Sequence, residues 1–127
     1  MEKLNYIEII SIVLIHWFAD FVLQTDEQAK GKSKENKCLL AHTLSYSFVW
    51  FVIGVFLIPL GVLPLEVLCF VGITFVAHTI TDYYTSRLNS KLWAEGKVHN
   101  FFVSVGFDQV LHYAQLFLTY LLLKWNL

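Results

Sequence analysis

The sequence predicts an all-α membrane protein with four transmembrane helices in an antiparallel bundle. Of its 127 residues, 57% are hydrophobic, 17% are aromatic and only 15% are charged, whereas a soluble domain is about half apolar and a quarter charged. The apolar residues form four blocks, each close to the roughly 20 residues needed to cross a bilayer core. The predicted helices cover about 5–24, 38–58, 62–85 and 101–123, within a single domain of residues 1–127.

A soluble four-helix bundle is the alternative fold, but it needs a polar face on every helix. The second and fourth blocks contain continuous apolar runs that leave no room for such a face. The first block is expected to remain as a helix rather than to be cleaved as a signal peptide. Acidic Glu2 and Glu8 flank it, and no small-residue cleavage site follows it.

The basic residues predict the orientation of the helices. Seven of the nine Lys and Arg residues lie in the first connection (25–37) and the third connection (86–100). The positive-inside rule places both connections in the cytoplasm and both termini outside. The two hairpins then run in the same direction, so a duplicated helical hairpin is one interpretation. Chance similarity between apolar helices is the other.

Three of the predicted helices carry a His and an Asp four residues apart, and the second helix carries a single His. These residues are His16 and Asp20, His42, His78 and Asp82, and Asp108 and His112. Residues four apart share one face of a helix. The reversed order in the fourth helix matches its opposite direction, so every Asp lies nearer the cytoplasm and every His lies deeper. Ionisable groups inside a membrane are costly and usually functional, and we therefore expect these side chains to form one site.

The chemistry of these side chains favours a divalent metal. Imidazole and carboxylate ligands suit zinc, iron or manganese, and all seven residues are candidate ligands, enough for two ions. Three unpaired aspartates at helix centres would cost roughly 8–10 kcal/mol on insertion scales, and a divalent cation neutralises two such charges. Two alternatives remain: hydrogen bonds between helices that stabilise the bundle without metal, and a proton relay.

The run from His16 to Gln24 resembles the opening motif of a family of small bacterial and phage membrane proteins, domain of unknown function 3307. The later His42, His78-x3-Asp82 and Asp108-Gln109-x2-His112 are similar to its other motifs, in matching order. This resemblance implies a multi-pass, four-helix protein of the bacterial inner (cytoplasmic) membrane, and it implies no activity. More loosely, the layout is similar to membrane-bound metal-dependent hydrolases, which also place His and Asp in short helices.

The favoured functional hypothesis is a membrane-embedded, metal-dependent hydrolase, although whether the protein is an enzyme stays open. A metal held by His and Asp lowers the pKa of a bound water and polarises a carbonyl or phosphoryl group. Asp20, Asp82 or Asp108, if left uncoordinated, is the candidate general base. The shallow depth of the site suits a lipid or lipid-linked substrate, and the basic connections could attract an anionic head group.

Two other function classes fit the same residues. A transporter or channel for a divalent metal or protons needs a polar path to the outer face, where the helices look apolar. A phage-type membrane effector with a structural polar core needs no ordered layers of His and Asp. The net charge of −1 does not bear on nucleic-acid binding, but the sequence has no basic face and no glycine-rich phosphate loop, so no nucleic-acid partner is expected. The expected partners are the bilayer and a second copy of the chain in a homodimer, although no motif supports the homodimer.

Overall fold

The protein is built from helices alone in the part that the structure, a computed structural model, describes, which is residues 4–126. In that range five α-helices follow one another. They are α1 (Tyr6–Trp17), α2 (Asp26–Gly31), α3 (Asn36–Leu57), α4 (Pro64–Ala94) and α5 (Val98–Asn126). A π-helical turn, Phe18–Val22, continues α1, and a 3-10 turn, Ile58–Leu60, ends α3. The all-α prediction is confirmed.

The helices and connections differ in part from those that the apolar blocks predict. The first connection, predicted as a polar loop, contains the short helix α2, which Thr25 caps by accepting a hydrogen bond from the Gln28 backbone N–H. Helix α4 continues through most of the predicted third connection and ends at Ala94. Its exposed last turns are polar, so a pattern based on apolar residues ended the helix too early.

Within residues 4–126, two helical segments are long and apolar enough to cross a membrane, judged by length and composition. They are Asn36–Leu60, with a mean hydropathy of 1.9, and Pro64–Ala94, with a mean hydropathy of 1.6. Helix α1 spans only 12 residues before its π-helical turn begins. The prediction of four membrane spans therefore goes beyond what these helices show.

Helix α4 lies at the centre of the arrangement, packed against α3 on one side and α5 on the other. The α3–α4 contact is close at Gly54, where an added Cβ would lie 2.5 Å from Val67 Cγ1. Gly61, with a φ of 105°, reverses the chain between these two helices. Only a residue without Cβ adopts that conformation readily.

Most of the buried side chains are polar, and many large apolar side chains are exposed. A small apolar cluster that includes Tyr46, Trp50 and Leu116 is buried. The four His residues and three Asp residues singled out from the sequence are buried as well. In contrast, Phe48, Leu68 and Leu118 are 60–63% exposed. Soluble proteins usually show the reverse pattern.

Candidate metal centre

A π-helical turn places Asp20 at the site. Helix α1 widens after Trp17, and the Leu23 backbone N–H donates to the Phe18 carbonyl at 3.1 Å, five residues back. Such turns inside α-helices occur frequently at functional sites. Asp20 lies in the middle of this turn, and its carboxylate is buried against α3 and α4.

Four residues from three helices form a first set of candidate ligands. They are Asp20, His42, His78 and Asp82, and one ligand atom from each lies within 4.8 Å of all the others. His42 Nε2 lies 3.0 Å from Asp20 Oδ1 and 3.2 Å from Asp82 Oδ2. It also lies 3.3 Å from His78 Nε2. Two imidazoles and two carboxylates thus converge on one point.

Hydrogen bonds alone do not account for this convergence. His42 Nε2 carries at most one proton, yet three ligand atoms lie within 3.3 Å of it. A single proton cannot satisfy all three contacts fully, whereas a cation held between the four residues could contact one ligand atom of each. Neutral imidazoles with carboxylates are a donor set that zinc, iron and manganese accept. The residues therefore fit a divalent metal ion.

A second set of candidate ligands lies beside the first and consists of Asp82, Asp108 and His112. His112 Nε2 lies 3.1 Å from Asp82 Oδ1 and 3.4 Å from Asp108 Oδ1. The imidazole of His112 stacks on that of His78, with 4.2 Å between ring centroids. The two sets are therefore in direct contact.

Asp82 belongs to both sets. Its Oδ2 faces His42 and His78 of the first set, at 3.2 and 3.7 Å. Its Oδ1 faces His112 of the second set, at 3.1 Å. A carboxylate that offers one oxygen to each of two ligand sets is suited to bridge two ions.

Lys32, from the segment after α2, also reaches this centre. Its Nζ donates to Asp82 Oδ2 at 2.8 Å, and its side chain is only 18% exposed. Burial acts to lower the pKa of this ammonium group. The carboxylates of Asp82 and Asp20 outweigh that effect, so the pKa of Lys32 is raised above its ordinary value. Lys32 is therefore cationic and neutralises part of the charge of the three aspartates.

Close packing holds Lys32 in this position. At Gly31, directly before it, an added Cβ would lie 2.6 Å from Cys38 Sγ and 2.9 Å from Cys38 Cβ. The end of α2 consequently lies close against the first turn of α3. A larger side chain at residue 31 would force Cys38 or the end of α2, next to Lys32, to shift.

Neighbouring polar groups orient the candidate ligands. Thr85 Oγ1 donates to Asp108 Oδ1 at 2.6 Å, and Gln109 Nε2 donates to Asp108 Oδ2 at 3.0 Å. The Tyr46 ring stacks on His78 with 3.8 Å between centroids and an interplanar angle of 12°. Partners of this kind fix the orientation of a ligand side chain and tune its basicity.

Six of the seven sequence-predicted metal ligands fall in the two sets, and His16 does not. Its Nδ1 is hydrogen-bonded to the Tyr46 hydroxyl, and its Nε2 to Gln109 Oε1, both at 2.8 Å. Its nearest carboxylate oxygen, Asp20 Oδ2, lies 3.7 Å away. Its two hydrogen bonds make His16 a group that orients Tyr46 and Gln109. His99, the one histidine of the chain outside these motifs, is exposed.

Sequence reasoning missed three residues of the centre: Lys32, Tyr46 and Gln109. Tyr46 follows His42 by four residues, the same spacing that singled out the His and Asp residues, so a signal was present. Nothing in the sequence separates Lys32 from the other lysines of its connection. The role of Lys32 depends on the position of α2. The polar composition of that connection gives no sign of this helix.

The fold and the geometry of the centre define an all-helical protein with a buried His/Asp cluster that could hold a metal ion. The chain belongs to the family described as protein of unknown function (DUF3307), whose model matches residues 9–127. This confirms the family resemblance based on the His and Asp motifs. Comparison with curated proteins gives no match, and comparison with solved structures gives none.

Proposed function

We propose that the protein is a multi-pass membrane protein with a two-metal centre that hydrolyses a lipid or lipid-linked substrate near the cytoplasmic face. The observation that carries this proposal is the shared position of Asp82, with Oδ2 in one ligand set and Oδ1 in the other. Paired ions at such a site are typical of enzymes that hydrolyse phosphate esters and peptides. Zinc, iron and manganese are the candidate metals.

The distribution of side chains supports a location in the membrane. Leu14, Phe48, Val76 and Leu118, on four different helices, are all more than half exposed, and such surfaces are stable in lipid rather than in water. With α1 and α5 also in the bilayer, the bundle has four spans. Loop charge then orients it with α2 and the α4–α5 turn in the cytoplasm and both termini outside. The membrane would be the inner membrane of a bacterium.

The three aspartates divide into two roles. Asp20 and Asp108 line a cavity that opens beside the centre, whereas Asp82 does not. This favours Asp82 as the shared ligand and either of the other two as the general base that accepts a proton from water. Two bound ions would polarise the scissile ester and the attacking water. Hydrolysis adds the elements of water across the cleaved bond, so no further co-reactant is needed.

A turnover assay tests the hydrolase proposal. Purified protein with added zinc, manganese or ferrous iron would receive a carboxylic ester, a phosphodiester lipid and a phosphomonoester lipid in mixed micelles. We expect turnover of at least one substrate, lost on chelation and in Asp82→Asn, and retained in the surface control His99→Ala. A protein that holds metal but turns over none of the three would rule out this activity.

A transporter of divalent metal or protons is the second candidate, and one observation favours it. Buried polar groups continue beyond the centre, where Gln115 Nε2 donates to Thr74 and Thr119 at 3.1 Å each. The Tyr120 hydroxyl, next to Thr119 in the chain, donates to Glu8 at 2.8 Å. This contact lies near the end of the bundle opposite the metal centre. Metal-dependent uptake into proteoliposomes, reduced in Gln115→Leu, would favour transport. Hydrolysis without uptake would favour the enzyme.

A further inference from the structure

A cavity of about 620 Å³ leads from the surface to the metal centre. Its lining comes from the end of α1, from α2 and the segment after it, from the last turns of α4 and from the first turns of α5. Asp20 and Asp108 lie at its inner end, next to the ligand sets. The cavity therefore connects the proposed cytoplasmic face with the proposed reaction site.

The outer part of this cavity is positively charged. Lys30, Lys32 and Lys34 all line it. Lys32 is already paired with Asp82, whereas Lys30 and Lys34 form no ion pair with any residue that the structure describes. Lys30 and Lys34 thus place two positive charges without carboxylate partners at the lining of the cavity, and these charges would attract an anion with more than one negative charge.

The same cavity contains buried polar atoms without partners. Gln24 Oε1, Ser86 Oγ and Asn89 Oδ1 are buried and have no hydrogen-bond partner among the described residues, and all three residues line the cavity. Buried polar groups in proteins are nearly always hydrogen-bonded. A hydroxyl can donate or accept, and a side-chain amide presents its NH₂ group after a half-turn. The side chains that carry these atoms line the cavity, so a rotation of each would bring its polar group to a ligand there.

Exposed aromatic side chains form the apolar part of the lining. Trp93 and Phe102 both line the cavity and are 59% and 63% exposed, and Phe21, on the end of α1, joins them. Aromatic side chains in this position are typical of the membrane–water interface. A ligand that fills the cavity would thus contact both a lining of lysines and polar groups and a lining of aromatic rings.

We propose that this cavity binds the terminal phosphate group of an amphiphile, with Lys30 and Lys34 contacting the phosphate and Trp93 and Phe102 contacting the apolar portion. Phosphate oxygens suit ammonium, hydroxyl and amide donors together. This inference rests on the proposed function in one respect only, since it names the substrate class of the metal centre at the inner end of the cavity. The binding itself needs no metal.

A lipid-retention experiment in the presence of EDTA tests the site without the metal centre. Full-length protein in detergent would be mixed with phosphatidic acid, phosphatidylglycerol or phosphatidylcholine, and retained lipid would be measured by native mass spectrometry. A separate arm would measure radiolabelled inorganic phosphate in the absence of lipid. We expect phosphatidic acid to be retained about tenfold better than the other two lipids. Retention of inorganic phosphate alone would identify a free phosphate as the ligand.

Charge-matched variants determine whether the cavity is responsible. Lys30→Gln/Lys34→Gln should lower retention of the phosphate ligand about tenfold. Lys37→Gln/Lys91→Gln removes the same charge from exposed lysines outside the cavity and should change it little. Equal loss in both variants, or equal retention of all three lipids by the native chain, would overturn the proposal. Because EDTA is present throughout, failure of the metal centre would abolish turnover but leave this result unchanged.

Discussion

At the scale of single residues, Asp82 is the candidate ligand that the two sets share. Each of its oxygens faces a different ligand set, and Lys32 donates to one of them at 2.8 Å. Without Asp82 the first set keeps three candidate ligands, whereas the second keeps only Asp108 and His112. The two sets are therefore unequal in how they respond to substitution, and that inequality is measurable.

Asp82→Asn should lower bound metal from about two ions per chain to below one, because both sets lose a charged ligand. His112→Ala should lower it to about one, because only the second set is affected. His16→Ala should retain more metal than either, since His16 lies outside both sets. Inductively coupled plasma mass spectrometry of the purified variants measures all three, with His99→Ala as the exposed control. Equal losses in all variants would contradict the two-set geometry.

Lys32→Met should strengthen metal binding about tenfold, because an ion no longer has to displace the ammonium group from Asp82 Oδ2. The same variant should melt at a lower temperature in EDTA, since three buried aspartates then lose a neutralising charge. Competition with a fluorescent chelator measures the affinity. Lys34→Met is the matched control, because Lys34 pairs with no carboxylate in the described chain. Weaker metal binding in Lys32→Met would make Lys32 a supporting group rather than a competitor.

At the scale of elements, the sequence predicts the ends of the long helices to within about three residues, except for the end of α4 at Ala94. Apolar blocks identify α3 and α4, and the spacing of His78 and Asp82 places both on one face of α4. The π-helical turn at Phe18–Val22 leaves no mark in the hydrophobic pattern, because it depends on how α1 packs against its neighbours. Helix α2 lies in a lysine-rich connection, and its contact with α3 through Gly31 and Cys38 is tertiary. A sequence pattern does not record such a contact.

Gly54→Ala should destabilise the bundle by about 1–3 kcal/mol, because the added methyl group overlaps the side chain of Val67 on the neighbouring helix. Gly72→Ala is the matched control in α4, where an added Cβ meets nothing within 4 Å. There the substitution should be neutral or stabilising, since alanine favours a helix. Thermal unfolding in detergent, followed by circular dichroism, compares the two. A larger loss at Gly72 than at Gly54 would mean that the α3–α4 contact is different from the one described.

At the scale of the whole molecule, most of the buried side chains are polar, and many large apolar side chains are exposed. The sequence predicts which His and Asp residues meet inside the bundle only when the direction of each helix is known. Direction determines which of these residues lie at the same depth. The reversed order of Asp108 and His112 predicts that they join the other pairs, and their contact with Asp82 agrees with that prediction. His16 lies outside both ligand sets and is hydrogen-bonded to Tyr46, and its role as a metal ligand stays a prediction.

The proposed topology predicts opposite accessibility for two exposed positions in a background that lacks Cys38 and Cys69. In spheroplasts, Leu60→Cys, in the turn after α3, should react with a membrane-impermeant maleimide from outside. Lys34→Cys, in the connection after α2, should react only after the membrane is permeabilised. The positive-inside rule requires this arrangement. The opposite pattern would mean that the protein has the reverse orientation in the membrane. Equal reaction of both positions would argue against α3 as a membrane span.

The metal content of the native chain tests the central claim most directly. Protein purified in detergent without added metal, then incubated with zinc, manganese or ferrous iron and desalted, would be measured by mass spectrometry alongside its melting temperature. The two ligand sets predict about two ions per chain and a raised melting temperature, since an ion that binds only the folded state stabilises it. Less than about 0.2 ion per chain, with a melting temperature unchanged by every metal, would contradict the metal centre.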